Sequence, residues 1–302
     1  MPTLILHGGA GRIDEARAPA YERGLSAARD AGWRVLARGG SALDAVTAAV
    51  TSMEADPEAF NAGVGSSLTR DGTVECDACL IDGRDGNAGA VALVTRSVSP
   101  VHLARVVMER TPHVLLAGPG ADALEEDPVD PAALVTPYAL AQLERWRARQ
   151  AERSPSAAEP TGSATVGALA LDDAGALAAA TSTGGVLGQW PGRIGDAPIP
   201  GAGTYADRSV AVSCTGKGEA FLRAVTGKAL AERLAAGVAL EEALARALRD
   251  VADMGGSGGL IVALSDGRLA WAFDTSHLAV AWRSERDEGA TVASRPGVVT
   301  LP

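Results

Sequence analysis

The chain has 302 residues, 47% of them hydrophobic, which is enough for a sizeable core in one or two domains. Its formal net charge of −10 argues against nucleic acid and anionic membrane surfaces as partners and favours a small zwitterion or a peptide end. No stretch reaches the roughly 18 to 20 apolar residues of a membrane span, no signal-peptide pattern opens the chain, and 3 cysteines, an odd number, do not describe a disulfide framework, so the expected location is cytoplasmic.

Residues 2–6 predict a short strand that stops at His7-Gly8-Gly9-Ala10-Gly11. That glycine run lacks the Lys-Ser/Thr pair and the full spacing of a phosphate loop. His7 reads as a hydrogen-bonded structural histidine, since His102, His113 and His277 are isolated in sequence and none forms a metal-type pair. Apolar residues recur at helical spacing over 18–38, and Gly39-Gly40 stops that helix. Ser41 to Asp44 is a capping-box-like start for a second helix reaching residue 54.

Residues 74–81 and 88–94 predict a strand pair across the turn-forming run 82–87. Cys76 and Cys79 have redox spacing, but side chains three apart on a strand point to opposite faces, which argues against a joint role. Helices are expected over 101–109 and over 137–150, the latter begun by Thr136, with Arg145, Arg147 and Arg149 on a solvated face. From 125 to about 160 the composition is Ala, Glu, Asp, Arg and Pro, a poor sequence for a core and the expected place of a flexible linker over 125–164.

The character then changes. Residues 165–171 and 176–181 read as a hairpin across Asp172-Asp173-Ala174-Gly175, and its first residue is Thr165. A Thr that opens a strand after a polar segment has a specific chemical use. If the bond between Ala164 and Thr165 were cut, the new α-amine, with a reference pKa of about 7.7 to 8.0, would take the proton from its own residue's hydroxyl at neutral pH. Beyond it, helices are expected over 219–234 and 240–251, a tight glycine entry at 255–259, and strands over 260–264 and 269–273.

Five motifs follow in order: Thr165-Val166-Gly167-Ala168, Thr181 to Gly185 (TSTGG), Pro191 to Asp196 (PGRIGD), Gly201 to Ala206 (GAGTYA) and Ser213 to Glu219 (SCTGKGE). Together they resemble the plant-type L-asparaginase and isoaspartyl peptidase family of N-terminal nucleophile (Ntn) hydrolases. The resemblance implies an α/β fold, the four-layer αββα sandwich with two stacked antiparallel sheets, forming one Ntn-hydrolase domain over 1–302. It also implies self-cleavage into an α subunit, 1–164, and a β subunit, 165–302, assembled as a homodimer of processed units.

As site residues the resemblance implies Thr165 as nucleophile, Thr183 as the hydroxyl that orients it, and Thr215 with Gly216 as oxyanion donors. Arg193 and Asp196 would bind the substrate's α-carboxylate and α-ammonium, with Gly216, Lys217, Gly218 and Asn61 also at the substrate. No cofactor is implied apart from a structural sodium ion on the backbone carbonyls of Met53, Glu54, Phe60, Ala62 and Val64, in a loop that carries one extra residue between Pro57 and Phe60 relative to the family pattern. The expected reaction is hydrolysis of the asparagine side-chain amide and of β-aspartyl dipeptides. Two alternatives stay open: a glycosylasparaginase, and a non-catalytic amino-acid binder, the latter because Ala164 stands where the family has Gly.

Overall fold

The computed structural model describes residues 1–151 and 165–301. Thirteen strands and eight α-helices follow in the order β1 (Thr3–Gly11), α1 (Ala18–Leu36), α2 (Ala42–Glu54), β2 (Cys76–Asp82), β3 (Ala88–Val94), α3 (Pro100–Arg110), β4 (Leu115–Ala117), α4 (Pro119–Asp122), α5 (Pro137–Ala151), β5 (Val166–Leu171), β6 (Leu177–Thr183), β7 (Thr204–Ala206), β8 (Val210–Gly216), α6 (Gly218–Ala224), α7 (Thr226–Ala235), α8 (Leu240–Asp253), β9 (Gly258–Leu264), β10 (Leu269–Phe273), β11 (His277–Ser284), β12 (Glu288–Ala293) and β13 (Gly297–Leu301) among the described residues.

Two sheets stack face to face. The larger has eight strands in the order β12-β11-β1-β5-β6-β2-β3-β4, and the smaller has five, β13-β10-β9-β8-β7. Pairing is antiparallel except between β3 and β4. That parallel pair departs from the purely antiparallel expectation because α3 carries the chain over between the two strands, a crossover that returns it in the same direction.

Alternation along the strands divides the apolar side chains among three cores. Leu4, Leu6, Cys76, Ala78 and Leu80 face Leu25, Val46, Val50, Leu103 and Val107 of α1 to α3. Ile5, Cys79, Ile81, Leu169 and Leu177 face inward against Ile261, Leu269, Trp271 and Phe273 of the second sheet. Val212, Cys214, Leu260 and Val262 point the other way, onto Phe221, Leu230, Leu244 and Val251 of α6 to α8. The result is the expected αββα layering, with each strand's period of two selecting its layer. Cys76 and Cys79 lie in different cores, as strand geometry requires.

Local signals hold at several ends. Ser41 accepts from the Asp44 N–H and donates to its carboxylate, the reciprocal cap read from the sequence, and Thr136 accepts from the Ala139 N–H. Other expectations give way. The first strand runs on through the glycines to Gly11, with a bulge between His7 and Ala10 against β11. The helix expected over 219–234 is broken at Val225, which adopts left-handed angles of φ 47 and ψ 49. The first amides of α7, from Gly227 and Lys228, donate to the carbonyls of Ala202 and Gly201, and this anchorage reorients the second helix.

Residues 125–151 also differ from the expected linker. Leu134, Leu143 and Trp146 are buried in the outer core, because a few large apolar side chains on one face suffice to seat a helix. The remainder of that stretch, 152–164, including Ala164, lies outside the described residues. Among the described residues no helix is long and apolar enough to cross a membrane.

Candidate active site

Strand ends of both sheets converge at one edge. Thr165 stands immediately before β5 and is 6% exposed. Pairing of β5 with β6 brings Thr183, at the far end of β6, alongside it, and the Thr165 hydroxyl donates to Thr183 Oγ1 at 3.1 Å. Thr183 Oγ1 also accepts from the Gly185 N–H at 3.1 Å, which fixes the receiving oxygen from below.

A fully buried polar chain lies next to Thr165. His7 Nε2 and Ser213 Oγ are 2.8 Å apart, and Ser213 Oγ is 2.7 Å from Thr181 Oγ1. Burial holds the His7 pKa down at about 3, against a backbone hydrogen bond at Thr165 that raises it, so the ring is neutral and works as a structural hydrogen-bonding group. Gly167 of the TVGA motif is required here: a Cβ on it would lie 2.1 Å from Ser213 Oγ and 2.4 Å from His7 Nε2.

Thr215 comes in from the second sheet. It is fully buried at the end of β8, and its Oγ1 accepts from the Ala10 N–H at 3.2 Å, so the glycine-rich end of β1 orients it. Gly216 follows, and the Lys217 N–H donates to the Ser257 carbonyl at 3.0 Å. Lys217 itself is exposed, with Nζ donating to the Gly255 carbonyl at 3.1 Å.

The loop after β6 supplies the charged groups. Arg193 pairs with Glu219, Nε to Oε1 at 2.9 Å and Nη2 to Oε2 at 3.2 Å. It does not pair with Asp196, which is 4% exposed and whose Oδ2 is buried without a hydrogen-bond partner among the described residues. Desolvation pushes the Asp196 pKa up to about 7, opposed by its own backbone N–H and by Arg193. Gly218 lies between the two: a Cβ there would stand 2.7 Å from Arg193 Nη2 and 2.8 Å from Asp196 Oδ1. The arrangement is therefore a fixed guanidinium and an unsatisfied carboxyl, separated by bare backbone.

Asn61 anchors the opposite wall. Its carbonyl accepts from the Gly184 N–H at 3.1 Å, next to Thr183, and its Nδ2 donates to Ser67 Oγ at 2.7 Å, while its Oδ1 is buried and unpartnered. In the adjoining loop the Glu54 carbonyl accepts from Val64 N–H at 3.0 Å and the Met53 carbonyl from Asp56 N–H at 3.2 Å. Gly63, at φ +63, is packed so that a Cβ would lie 2.6 Å from the Val98 carbonyl oxygen and 2.8 Å from that of Glu54. Among the described residues no group of three or more His, Cys, Asp or Glu gathers as a metal site.

Three contributors were not singled out from sequence. Asp77 is buried on β2 in register with Thr183, accepts from the Leu93 N–H at 2.9 Å, and burial pushes its pKa up to about 7, opposed by hydrogen bonds from Leu93 and Gly195 and by Arg193. A lone carboxylate in the apolar run CDACLI was the available signal. Glu219, already within the SCTGKGE motif, and Ser213, whose partner His7 is 206 positions away, were the others.

A family model described as Asparaginase matches residues 1–293. The chain is 43% identical to the isoaspartyl peptidase of Salmonella typhimurium over 295 residues, covering 92% of this chain and 94% of that protein. It is 42% identical to the isoaspartyl peptidase of Escherichia coli over 317 residues, covering 97% and 98%. It is 43% identical to the isoaspartyl peptidase/L-asparaginase of Rattus norvegicus over 266 residues, covering 86% and 79%. With matching motifs, fold and near-complete coverage, the chain belongs to the plant-type L-asparaginase and isoaspartyl peptidase family.

Proposed function

We propose that this protein hydrolyses the side-chain amide of L-asparagine and the β-linked peptide bond of β-aspartyl dipeptides, using Thr165 as an N-terminal nucleophile after cleavage between Ala164 and Thr165. The observation that carries the reading is the 3.1 Å hydrogen bond from the Thr165 hydroxyl to Thr183, at the edge where Arg193 and Asp196 also converge, the latter with an Oδ2 that has no hydrogen-bond partner among the described residues.

Arg193 binds the α-carboxylate and Asp196 the α-ammonium of the aspartyl unit, over the bare backbone of Gly218. This leaves the side-chain carbonyl carbon to face Thr165. The freed α-amine takes the hydroxyl proton as Oγ1 attacks, and the negative charge gathers on the former carbonyl oxygen. Thr215 hydroxyl and Gly216 N–H donate to that oxyanion; removing one such donor typically lowers the rate by roughly 100- to 1,000-fold. Collapse expels ammonia or an amino acid, which takes the proton back from the α-amine and leaves an aspartyl ester on Thr165. Water, activated by the same amine, then releases aspartate.

A sodium ion on the carbonyls of Met53, Glu54, Phe60, Ala62 and Val64 belongs to this reading as a structural ion that would stiffen the loop carrying Asn61. The homodimer of processed units and the cytoplasmic location also belong to it; family membership and the absence of a membrane-length apolar helix among the described residues support them.

The test is kcat/KM on processed enzyme for L-asparagine, a β-aspartyl dipeptide and L-glutamine. Activity on the first two with little on glutamine is expected, because an extra methylene moves the amide carbon out of line with Thr165. Glutamine as the best of the three would contradict the site.

A further inference from the structure

A cationic cavity lies on the side of Thr165 away from Arg193. In the larger sheet β5 sits between β1 and β6, with β2 beyond β6. Gly192, the neighbour of Arg193, donates its N–H to the carboxylate of Glu75 just before β2 at 2.8 Å, so the aspartyl end of a substrate belongs to the β6–β2 side. The leaving group must then project toward β1. The β1–β5 ladder ends with His7 paired to Gly167, where β1 bulges, so Gly9 lies past the last pair, toward the end of β5 at which Thr165 stands. Arg12 follows three residues later, roughly 10 Å further along the chain.

This end of β1 opens into a cavity of about 260 Å³ that begins at Asn61, the residue bonded to the loop after Thr183. Among the described residues three arginines, Arg12, Arg17 and Arg149, line it, and no carboxylate does. Arg17 is held by neutral groups: it donates to the carbonyls of Glu58 and Ala59 at 2.9 and 3.3 Å and to the Tyr138 hydroxyl at 3.1 Å. Its guanidinium also lies over the rings of Tyr21 and Tyr138. Arg12 makes no hydrogen bond or ion pair among the described residues. Asp14, which lines an adjoining recess, has Oδ1 engaged by the Ala16 N–H. Among the described residues the cavity thus pairs one fixed cation that has no counter-carboxylate with a second cation whose donors are uncommitted, beside the position inferred for the leaving group.

We infer that Arg12, backed by Arg17, binds the free α-carboxylate of the amino acid released from a β-aspartyl dipeptide. The inference rests on the proposed hydrolysis at Thr165 and specifies which dipeptides are preferred: those with an unblocked C-terminus. Asparagine, whose leaving group is ammonia, does not reach this subsite.

The experiment compares kcat/KM for β-aspartyl-leucine, its C-terminal amide and L-asparagine in the wild type and in Arg12→Gln, Arg12→Lys, Lys217→Ala and Arg147→Ala. Wild type should favour the free acid over the amide by about 10- to 100-fold, mainly through KM, the range of one or two charge-assisted hydrogen bonds. Arg12→Gln should bring that ratio to within about twofold of unity, Arg12→Lys should recover part of it, and the other two variants should keep it. Retention of the full preference in Arg12→Gln, or its loss in Lys217→Ala instead, overturns the assignment. A wild type that cleaves asparagine and both dipeptides without distinguishing acid from amide overturns the subsite alone. A wild type that cleaves none of them overturns the hydrolase reading, and the subsite with it.

Discussion

Glu219 holds Arg193 by its inner edge, with Nε donating to Oε1 at 2.9 Å and Nη2 to Oε2 at 3.2 Å. A guanidinium carries five N–H groups, so both hydrogens of Nη1 and the second of Nη2 stay available at its outer end. That end abuts Gly218, the residue whose missing side chain leaves room between Arg193 and Asp196. In the role proposed for Arg193, a fork for a substrate carboxylate, the guanidinium would be oriented before substrate arrives, which would reduce the ordering cost of binding.

Arg193→Ala is accordingly expected to lower kcat/KM for L-asparagine by roughly 100-fold or more, the loss of a bidentate charged pair. Arg147→Ala, whose guanidinium donates to the Arg70 carbonyl, should change it by less than about twofold. Steady-state kinetics of the two variants side by side check the assignment, and matching values would remove the role given to Arg193.

Asp196 makes binding pH-dependent. Its carboxyl, pushed by burial up to about 7, is protonated in the free enzyme below that pH, whereas the α-ammonium of a ligand needs the ionised form. Affinity for the product L-aspartate should fall as pH drops below about 7, approaching tenfold per unit, and Asp196→Asn should bind weakly with a flatter profile. Asp77 titrates in the same range, so isothermal calorimetry on both Asp196→Asn and wild type is needed to assign the transition.

The same shift predicts a stability gain. An acid whose folded pKa exceeds its unfolded value keeps its proton longer when folded, so its contribution to stability falls as pH rises from about 4 to about 7 and stays unfavourable above. At pH 8 Asp196→Asn should therefore melt about 2 °C or more above wild type while losing activity. A lower melting temperature at pH 8 would show that the carboxylate is satisfied in the absence of ligand.

Most elements were legible because strand alternation and helix spacing are local signals, whereas the layering came from the family resemblance. Thr165 stood out as a Thr opening a strand after a polar segment, Thr183 and Thr215 only as motif residues, and their convergence depends on pairing between strands far apart in sequence. Asp77 carries only the weak signal of a lone acid in an apolar run, and its place beside Thr183 depends on the pairing of β2 with β6. The break at Val225 was invisible for a different reason: it is imposed by carbonyls of residues 201 and 202, not by the helix's own sequence. The strands after 277 were not anticipated; β11 and β12 join the larger sheet while β13 joins the smaller one, and the edge strands β12 and β13 are short and partly exposed and carry weak periodicity.

Gly167→Ala tests the buried support of the nucleophile. The added methyl would meet Ser213 Oγ and His7 Nε2 well inside contact distance, with no flexible side-chain end to move aside. A loss of about 1 to 3 kcal/mol of unfolding free energy is expected, with Thr165 displaced from Thr183. Chemical denaturation of the variant measures it, and wild-type stability with wild-type activity would mean that the strands relax freely there.

The central claim is that Thr165 becomes an N-terminal nucleophile, and intact-mass measurement of purified protein after prolonged incubation at neutral pH tests it most directly. The account predicts two species, residues 1–164 and residues 165–302 beginning with Thr165, in the wild type, with Ala164 before the cut slowing their appearance relative to Ala164→Gly. Thr165→Ala should stay at the mass of the full chain. A wild type that remains one intact chain yet hydrolyses asparagine, or a Thr165→Ala variant that cleaves at the same bond, would contradict the account.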